Sequence, residues 1–440
     1  MNREMPSETG FHQLDDISLP IFSRESENLT LFYAPGYLAA ARQPEADEIK
    51  GILAGELPFG NPTLHHLIRA AVSAREIWWR THDPEHYQPV CLTIYSSLVC
   101  NLNCIYCFAE RKRDPVAFLS KDLIMAAAGD VLANCREKKL PFTAVFHGGG
   151  EPSLDPRLPE ILADLKALCT AEKVRFSSYI ATNGVMDPDK ARWIAENIED
   201  IGLSTDGPPD IQDSQRPLRN GGISSPVVER TAKIFRQVQG KLTVRVTVLP
   251  KNFERIPEIA GYCLNTLEAD EIRIEPVYYQ GTETTAADEF CSGFLRAKQE
   301  FQAKCRISYS GSRIHEIHGR YCHIFRQVTQ LVPPAGCSAC FALSSQAEAE
   351  DKKLDPLTDD DIFERLSRED PACEHCFNRF HCSRGCPDVC PGTGEIQDSG
   401  SFRCRVNRKL AESELMDTAR RLLFEHARKY GYAGMQIRQV

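Results

Sequence analysis

Between residues 90 and 280, short apolar runs alternate with longer stretches whose apolar positions recur every three or four residues. The runs at 91–95, 143–147, 174–181, 201–205, 242–249 and 271–277 are short, apolar and bounded, as buried strands are. The stretches near 120–137, 157–171, 187–198, 226–239 and 253–267 read as amphipathic helices, and another follows at 286–304. Strand and helix alternating in six successive units predict an α/β fold with a parallel sheet and helices outside it. Six units are too few to close an eight-stranded barrel, so the expected form is a partial (β/α)6 parallel barrel. Ligands of such sheets gather at the carboxyl ends of the strands, and the chemistry is expected there.

The flanks read differently. Residues 1–28 look like a flexible leader. Residues 29–41 (LTLFYAPGYLAAA) give two short strands around Pro35-Gly36, and 44–55 and 62–80 give helices, the second with Pro62 in its first turn. These predict a small N-terminal domain, 1–85, ahead of a barrel spanning 86–310. Beyond residue 310 the alternation stops and cysteines crowd between 322 and 404, around an acidic stretch at 348–361. That sets off a cysteine-rich C-terminal domain at 311–404. In the remaining tail, 405–440, residues 405–430 read as one amphipathic helix ending before Gly431.

Composition narrows the function classes. The chain has 440 residues, 42% apolar and 26% charged, which is ordinary for a globular protein with a real core. Its 52 basic and 61 acidic side chains leave a formal charge of −9, which argues against nucleic acid or an anionic membrane as partner. No apolar run reaches the roughly 18 residues a membrane span needs. The N-terminal MNREMPSETGFHQLDD is too polar for a secretory signal, so a cytoplasmic location is expected. In that reducing compartment disulfides do not persist, yet there are 18 cysteines. Clustered cysteines there point to metal or chemistry, and scattered ones to buried thiols. Cys91, Cys135, Cys169, Cys263, Cys291 and Cys305 lack a spacing partner and are expected to be free. His65-His66, His315, His318 and His381 invite a metal reading, but adjacent histidines on a helix point apart. Trp78-Trp79 and Tyr278-Tyr279 read as packing or pocket walls.

Cys100, Cys104 and Cys107 form C-x3-C-x2-C directly after the first barrel strand. An ordinary four-iron cluster takes four thiolates. Three on one loop leave one iron free to bind a small molecule through its own donors. Zinc is the alternative, although it wants a fourth ligand nearby. After the second strand comes Phe146-His147-Gly148-Gly149-Gly150-Glu151-Pro152. A glycine run lets a ligand approach the backbone closely, and the carbonyls with Glu151 suit an ammonium group. A simple tight turn is the other reading.

Together the C-x3-C-x-Tyr106-Cys107 and GGGEP segments resemble the radical S-adenosylmethionine (SAM) superfamily, over roughly residues 90–280. The resemblance continues in order with Ala181-Thr182-Asn183-Gly184, then Leu203-Ser204-Thr205-Asp206-Gly207-Pro208, Asp213 and Arg216. The series is similar to the subgroup of anaerobic sulfatase-maturating enzymes and peptide maturases. It implies that Cys100, Cys104 and Cys107 hold a [4Fe-4S] cluster whose open iron binds SAM. It places Tyr106, Gly149, Gly150, Glu151, Thr182, Asn183, Ser204, Asp206 and Arg216 around that cofactor. Gly149, Gly150 and Glu151 would meet its amino group, Ser204 and Asp206 its ribose, and Arg216 its carboxylate.

Cys373, Cys376, Cys382 and Cys386 give C-x2-C-x5-C-x3-C, a pattern that chance yields about once in 800 chains of this composition. With Cys322 and Cys404 it resembles the SPASM extension, which carries auxiliary four-iron clusters. The resemblance implies one cluster on Cys373, Cys376, Cys382 and Cys404, and a second on Cys322, Cys386 and the Cys337/Cys340 pair. The family usually has a single cysteine followed by Asp where this chain has Gly336-Cys337-Ser338-Ala339-Cys340-Phe341. That departure leaves the second ligand set and any base at that spot open. Cys390 has no place in the pattern, and a zinc knuckle is the alternative for the whole array.

The resemblance implies an oxidoreductase that makes a 5′-deoxyadenosyl radical, a precursor peptide or protein as substrate, and a reducing partner such as flavodoxin or ferredoxin. The first expectation is a peptide maturase forming an intramolecular carbon–carbon or thioether crosslink. The second is an anaerobic sulfatase maturase oxidising Cys or Ser to formylglycine, which the missing Asp disfavours. The third is a non-catalytic iron–sulfur or zinc protein. The Leu31–Tyr37 segment LFYAPGY resembles the start of several peptide maturases; leader-peptide binding by strand addition and a plain capping role are both open there.

Overall fold

The structure is a computed structural model of the chain. It describes residues 12–14, 17–19, 21–26, 29–54, 56–58, 60–82, 88–107, 118–277, 285–314, 316, 328–332, 336–338, 373, 376–383, 401–430 and 438–439. Cys322, Cys340, Cys386, Cys390, His315, His318 and Tyr278-Tyr279 lie outside the described residues.

The N-terminal layer begins with the hairpin β1 (His12–Leu14) and β2 (Ile17–Leu19). It continues with β3 (Phe22–Ser26), β4 (Leu29–Ala34) and β5 (Tyr37–Ala41), an antiparallel meander, and then α1 (Glu45–Leu53) and α2 (Pro62–His82). The turn between β4 and β5 puts Gly36 at φ +86°, a conformation that glycine takes without strain. Strands within 1–28 correct the expectation of a flexible leader: Phe22 has a core place opposite Tyr33. Alternation sends Phe32, Ala34, Ala39 and Ala41 to α1 and α2, and Leu31, Tyr33, Leu38 and Ala40 to the other face.

The barrel elements follow in strict alternation. They are β6 (Cys91–Ile94), α3 (Lys121–Lys138), β7 (Phe142–Phe146), α4 (Leu158–Ala171), β8 (Phe176–Thr182), α5 (Pro188–Asn197) and β9 (Asp200–Thr205). Then come α6 (Pro209–Gln215), α7 (Ser225–Gln239), β10 (Thr243–Val248), α8 (Ile256–Asn265), β11 (Glu271–Pro276) and α9 (Ala286–Phe301). The six predicted strands are present, neighbours in sequence pair in parallel, and their carboxyl ends share one rim. Helix starts follow sequence: Ser120 caps α3 through Leu123, and Asp187 caps α5 through Lys190 with Pro188 next.

Further strands extend the six. β12 (Arg306–Ser308) adds to β11, and β13 (Val328–Val332) adds to β6, both in parallel, while β14 (Gly336–Ser338) returns antiparallel on β13. The α/β fold stands, with eight parallel strands in the sheet; among the described residues β12 and β13 do not pair, so the barrel is open. The outward residues Leu92, Ile94, Phe142, Phe146, Ile180, Leu203, Val244, Val246, Ile272 and Ile274 pack under the helices in one core.

The last helix, α10 (Phe402–Tyr430), joins the two parts. Phe402, Val406 and Leu410, four residues apart, enter the barrel core, whereas Ala411, Leu415 and Ala419 pack on the N-terminal sheet with Ile314 and Phe377. An Arg24–Glu412 ion pair crosses the same contact. A short strand, β15 (Arg438–Gln439), pairs with β5. Among the described residues no helix is long and apolar enough to cross a membrane. The scattered cysteines Cys91, Cys135, Cys169, Cys263, Cys291 and Cys305 form no disulfide, as expected of isolated thiols.

Candidate active site

The cysteine loop leaves β6 at the carboxyl rim and is fastened mainly by backbone. Asn103 N donates to Pro217 O (2.9 Å), Ile105 N to Gln215 O (3.0 Å) and Arg219 N to Asn101 O (2.9 Å). On its other side Gly150 N donates to Ser97 O (3.2 Å) and Glu151 N to Val99 O (2.7 Å). A Cβ on Gly150 would stand 2.1 Å from Val99 O. The glycine run is therefore required first by the cysteine loop it packs against. Cys100, Cys104 and Cys107 are half-buried and form no disulfide, and Cys107 rests on Tyr95 and Leu98. Burial pushes the Cys104 thiol up to about 11, against the pull of the nearby Arg216. Among the described residues no three His, Cys, Asp or Glu side chains converge as on a single ion. A cubane asks less, since each thiolate serves a different iron.

The candidate residues assemble into two hydrogen-bonded groups. In the first, the buried Glu151 carboxylate accepts from Thr182 Oγ1 (2.6 Å), Asn183 N (2.7 Å) and Ser153 N (3.1 Å). Glu151 thus locks the glycine turn to the end of β8. Asn183 Nδ2 donates to Asn101 Oδ1 (2.8 Å) and lies 3.8 Å from Cys100 Sγ, so the group ends at a thiol.

In the second group, Asp206 is fully buried and accepts from Tyr106 Oη (2.8 and 2.7 Å), Gln215 Nε2 (2.7 Å) and Arg216 Nη1 (3.3 Å). Burial pushes its carboxyl above the usual range, and the Arg216 charge and these donors oppose that. Arg216 Nη1 also donates to Tyr106 Oη (3.0 Å), but its Nε is buried with no acceptor among the described residues. A buried donor without an acceptor costs about 1–3 kcal/mol and is the mark of a missing partner. Ser204 lies on the inner face of β9, level with Arg245 of β10. Asp213 caps α7 through Ser224 N and Ser225 N.

The second array is partly described. Cys376 N donates to Cys373 O (3.2 Å) and Cys382 N to Asn378 O (2.9 Å). The Cys376 thiol, pushed up to about 12 chiefly by burial, feels both Cys382 and Cys404. Asn407 of α10 donates to Cys382 Sγ (3.1 Å). Cys337 lies on β14, opposite Leu331. His381 bonds Tyr33 Oη and the Glu316 carbonyl, and His66 stacks on Tyr37, so both have packing roles.

The radical SAM superfamily model matches residues 94–263, from the end of β6 into α8. The chain carries a radical SAM domain. It is 27% identical over 176 residues to a tungsten-containing aldehyde ferredoxin oxidoreductase cofactor-modifying protein of Pyrococcus furiosus, covering 38% of this chain and 46% of that protein. It is 26% identical over 170 residues to a cysteine-type anaerobic sulfatase-maturating enzyme of Clostridium perfringens, covering 37% and 45%. The chain thus spans about half the length of the curated relatives it matches. Among solved structures, anSMEcpe with bound AdoMet superposes at TM-score 0.59 and 18% identity over 77% of this chain and 97% of that one. Streptococcus suis SuiB bound to precursor peptide SuiA superposes at TM-score 0.51 and 15% identity over 83% and 94%. At such identities the likeness is one of fold.

Sequence reasoning missed Asn101, Gln215 and Asn252, the last donating to Gln215 Oε1 (2.9 Å). It also missed the barrel's inner wall, where His147, Tyr179, Arg245, Arg273 and Glu275 lie on inward-facing positions. The alternation in Thr243–Val248 (TVRVTV) and Glu271–Pro276 (EIRIEP) carried that signal.

Proposed function

We propose that this protein is a radical SAM maturase that takes a hydrogen atom from a ribosomally made peptide and installs an intramolecular crosslink. The observation that carries the reading is the thiol trio at the rim of a radical SAM domain, beside a buried Arg216 donor that lacks an acceptor among the described residues. These residues fit a SAM-bound [4Fe-4S] cluster. Cys100, Cys104 and Cys107 would hold it, Gly149, Gly150 and Glu151 would face the SAM amino group, Ser204 and Asp206 the ribose, and Arg216 the carboxylate. When bound there, the pair supplies a 5′-deoxyadenosyl radical on one-electron reduction by a donor such as flavodoxin or ferredoxin.

The chain's own work is positional. Asp206 and Tyr106 hold the Arg216 fork in place. Glu151, through Thr182 and Asn183, fixes the glycine turn against the cysteine loop. Cys373, Cys376, Cys382 and Cys404 would carry one auxiliary cluster, with Cys322, Cys386 and Cys337/Cys340 offered for another. The peptide reading draws support from SuiB, whose fold is shared and whose structure holds a precursor peptide. The N-terminal domain, 1–85, would receive the leader of that peptide. Formylglycine formation is the second reading, favoured by the similarity to the sulfatase-maturating enzyme.

The test is anaerobic reconstitution with dithionite and SAM. The expected results are 5′-deoxyadenosine, iron and sulfide each near about twelve per chain if three four-iron clusters form, and a co-expressed small peptide lighter by a pair of hydrogens per event. No 5′-deoxyadenosine would remove the enzyme reading, and formylglycine in a sulfatase motif would replace the first choice by the second.

A further inference from the structure

Helix α10 brings a thiol, an amide and a positive charge to the second cysteine array. Asn407 and Arg408 follow Cys404 by three and four residues, so the three share one face of the helix. Asn407 is buried, 1% exposed, and its Nδ2 donates to Cys382 Sγ at 3.1 Å. Cys382, Cys404 and Arg408 all lie within electrostatic reach of the Cys376 thiol, which also accepts from the Asn378 backbone amide. These sulfurs are therefore met by N–H groups and a guanidinium.

The Asn407 amide is held in one orientation. Tyr309 Oη donates to its Oδ1 (2.5 Å), which occupies the oxygen end and leaves the NH2 end for the sulfur. Asn378 Nδ2 donates to the Asn407 carbonyl (3.3 Å), and Ser312 Oγ donates to Asn378 Oδ1 (2.8 Å). A Cβ on Gly311 would collide with both Tyr309 Oη and Asn407 Oδ1, so this bond also dictates a glycine. In the first array the amides stand further from sulfur, Leu102 N at 3.5 Å and Asn183 Nδ2 at 3.8 Å from Cys100 Sγ.

Hydrogen bonds to the sulfurs and nearby charge set the potential of an iron–sulfur cluster. Each electron taken up adds negative charge, which a donor on a thiolate stabilises.

We propose that Asn407 raises the reduction potential of the four-iron cluster carried by Cys373, Cys376, Cys382 and Cys404, and that Tyr309 is the positioning residue that keeps the Asn407 amide turned to the sulfur. The inference rests on the auxiliary cluster proposed above; its assignment to Asn407 rests on the bond to Cys382. A cluster set in this way takes up an electron more readily, which suits an acceptor rather than a donor.

The experiment follows reduction of the reconstituted full-length chain by electron paramagnetic resonance at poised potentials. Cys100→Ala, Cys104→Ala and Cys107→Ala combined silence the first cluster. In that background, Asn407→Leu with Tyr309→Phe replaces the amide and its partner by apolar groups of similar shape, so neither is stranded. The midpoint of one component should fall by at least about 59 mV, a tenfold change in the ratio of reduced to oxidised cluster. Tyr309→Phe alone should lower it by less, because the amide is present but free to turn. Ser312→Ala loosens the same network without touching a sulfur and should leave the midpoint in place. An unchanged midpoint in the double variant overturns the proposal, and so does a Ser312→Ala shift as large as that of the double variant. If the double variant does not hold its iron, Tyr309→Phe decides, and an unchanged midpoint there overturns the proposal. Failure of the auxiliary cluster itself reads out separately, as absence of iron from the background protein, and that result would strike the inference with it.

Discussion

The two cysteine arrays differ in what chiefly holds them. The loop of Cys100, Cys104 and Cys107 is anchored chiefly by backbone amides and carbonyls to the segments after β7 and α6, all within the barrel. The Cys373–Cys404 array has one short backbone bridge, Arg313 N to His381 O (3.3 Å) and Ser383 N to Gly311 O (3.0 Å), and is otherwise tied by side chains from distant parts of the chain. Ser312 Oγ donates to Asn378 Oδ1 (2.8 Å), Asn378 Nδ2 to the Asn407 carbonyl (3.3 Å), and Tyr309 Oη to Asn407 Oδ1 (2.5 Å). His381 adds a bond to Tyr33 of the N-terminal sheet. Backbone fastening makes the first loop as rigid as the sheet that carries it. Side-chain fastening makes the second array depend on the docking of α10 and the N-terminal layer. The first array is thus a property of the barrel, and the second a property of the assembled chain.

The widest separation between the arrays comes from removing thiols. Cys100→Ala, Cys104→Ala and Cys107→Ala combined should abolish SAM cleavage and lower iron by about four atoms per chain, one cubane's worth. Cys376→Ala should lower iron while leaving some peptide-independent SAM cleavage. Iron analysis beside chromatography of 5′-deoxyadenosine checks both. Identical outcomes for the two variants would mean that the arrays are not separate sites.

Next in size is Gly150→Ala. The added Cβ would meet the Val99 carbonyl at 2.1 Å, and that oxygen is backbone, so it cannot swing aside. The expected cost is about 3 kcal/mol, the upper end for overpacking a well-fitted site. The damage should fall on the first array: iron near Cys100 is lost before the Cys373–Cys404 site is affected. Denaturant unfolding gives the energy, and electron paramagnetic resonance shows which cluster signal fades.

Asn378→Ala probes the other side with a smaller effect. Asn378 is fully buried, and its loss strands Ser312 Oγ and the Asn407 carbonyl, at about 2 kcal/mol. Hydrogen exchange should rise in α10 and in β4–β5 while β7–β10 stay protected. Uniform loosening of the whole chain would refute the division between the arrays.

These contrasts also explain what the sequence could and could not disclose. The six barrel strands were legible because each has an apolar outward face, such as Val244 and Val246, and the first cysteine loop because its spacing is local. β12 was missed because Arg306–Ser308 is only three residues with one apolar centre, and β13 because it follows a long excursion and returns to β6, far away in sequence. Phe22–Ser26 was read as leader because its strand holds a single large apolar residue, whose partner Tyr33 lies across a hairpin. Glu151 was legible at the site by residue type and place, but the bonds its carboxylate accepts from Thr182, Asn183 and Ser153 were not, because two of those partners lie a whole βα unit away. Hydrophobic patterning identifies what faces the helices; it does not say what Arg245 and Arg273 do on the opposite face.

The smallest expected difference is one of acid response, and it belongs to the barrel. His147 ends β7 beside the glycine turn, its ring against Tyr95, and burial with the Arg245 charge lowers its pKa from 6.5 to about 4. As pH falls through that interval the unfolded chain takes up the proton before the folded one does. Stability is therefore full above about 6.5 and declines toward 4, by roughly 2 kcal/mol for a partly buried ring. Acid should loosen the β7 turn and, through Gly150 and Val99, the first cysteine loop, with little direct effect on the array under α10. His147→Gln should flatten this part of the pH profile. Denaturant unfolding of both proteins between pH 4 and 7 measures it, and a His147→Gln profile as steep as the original would show that another group carries the acid response.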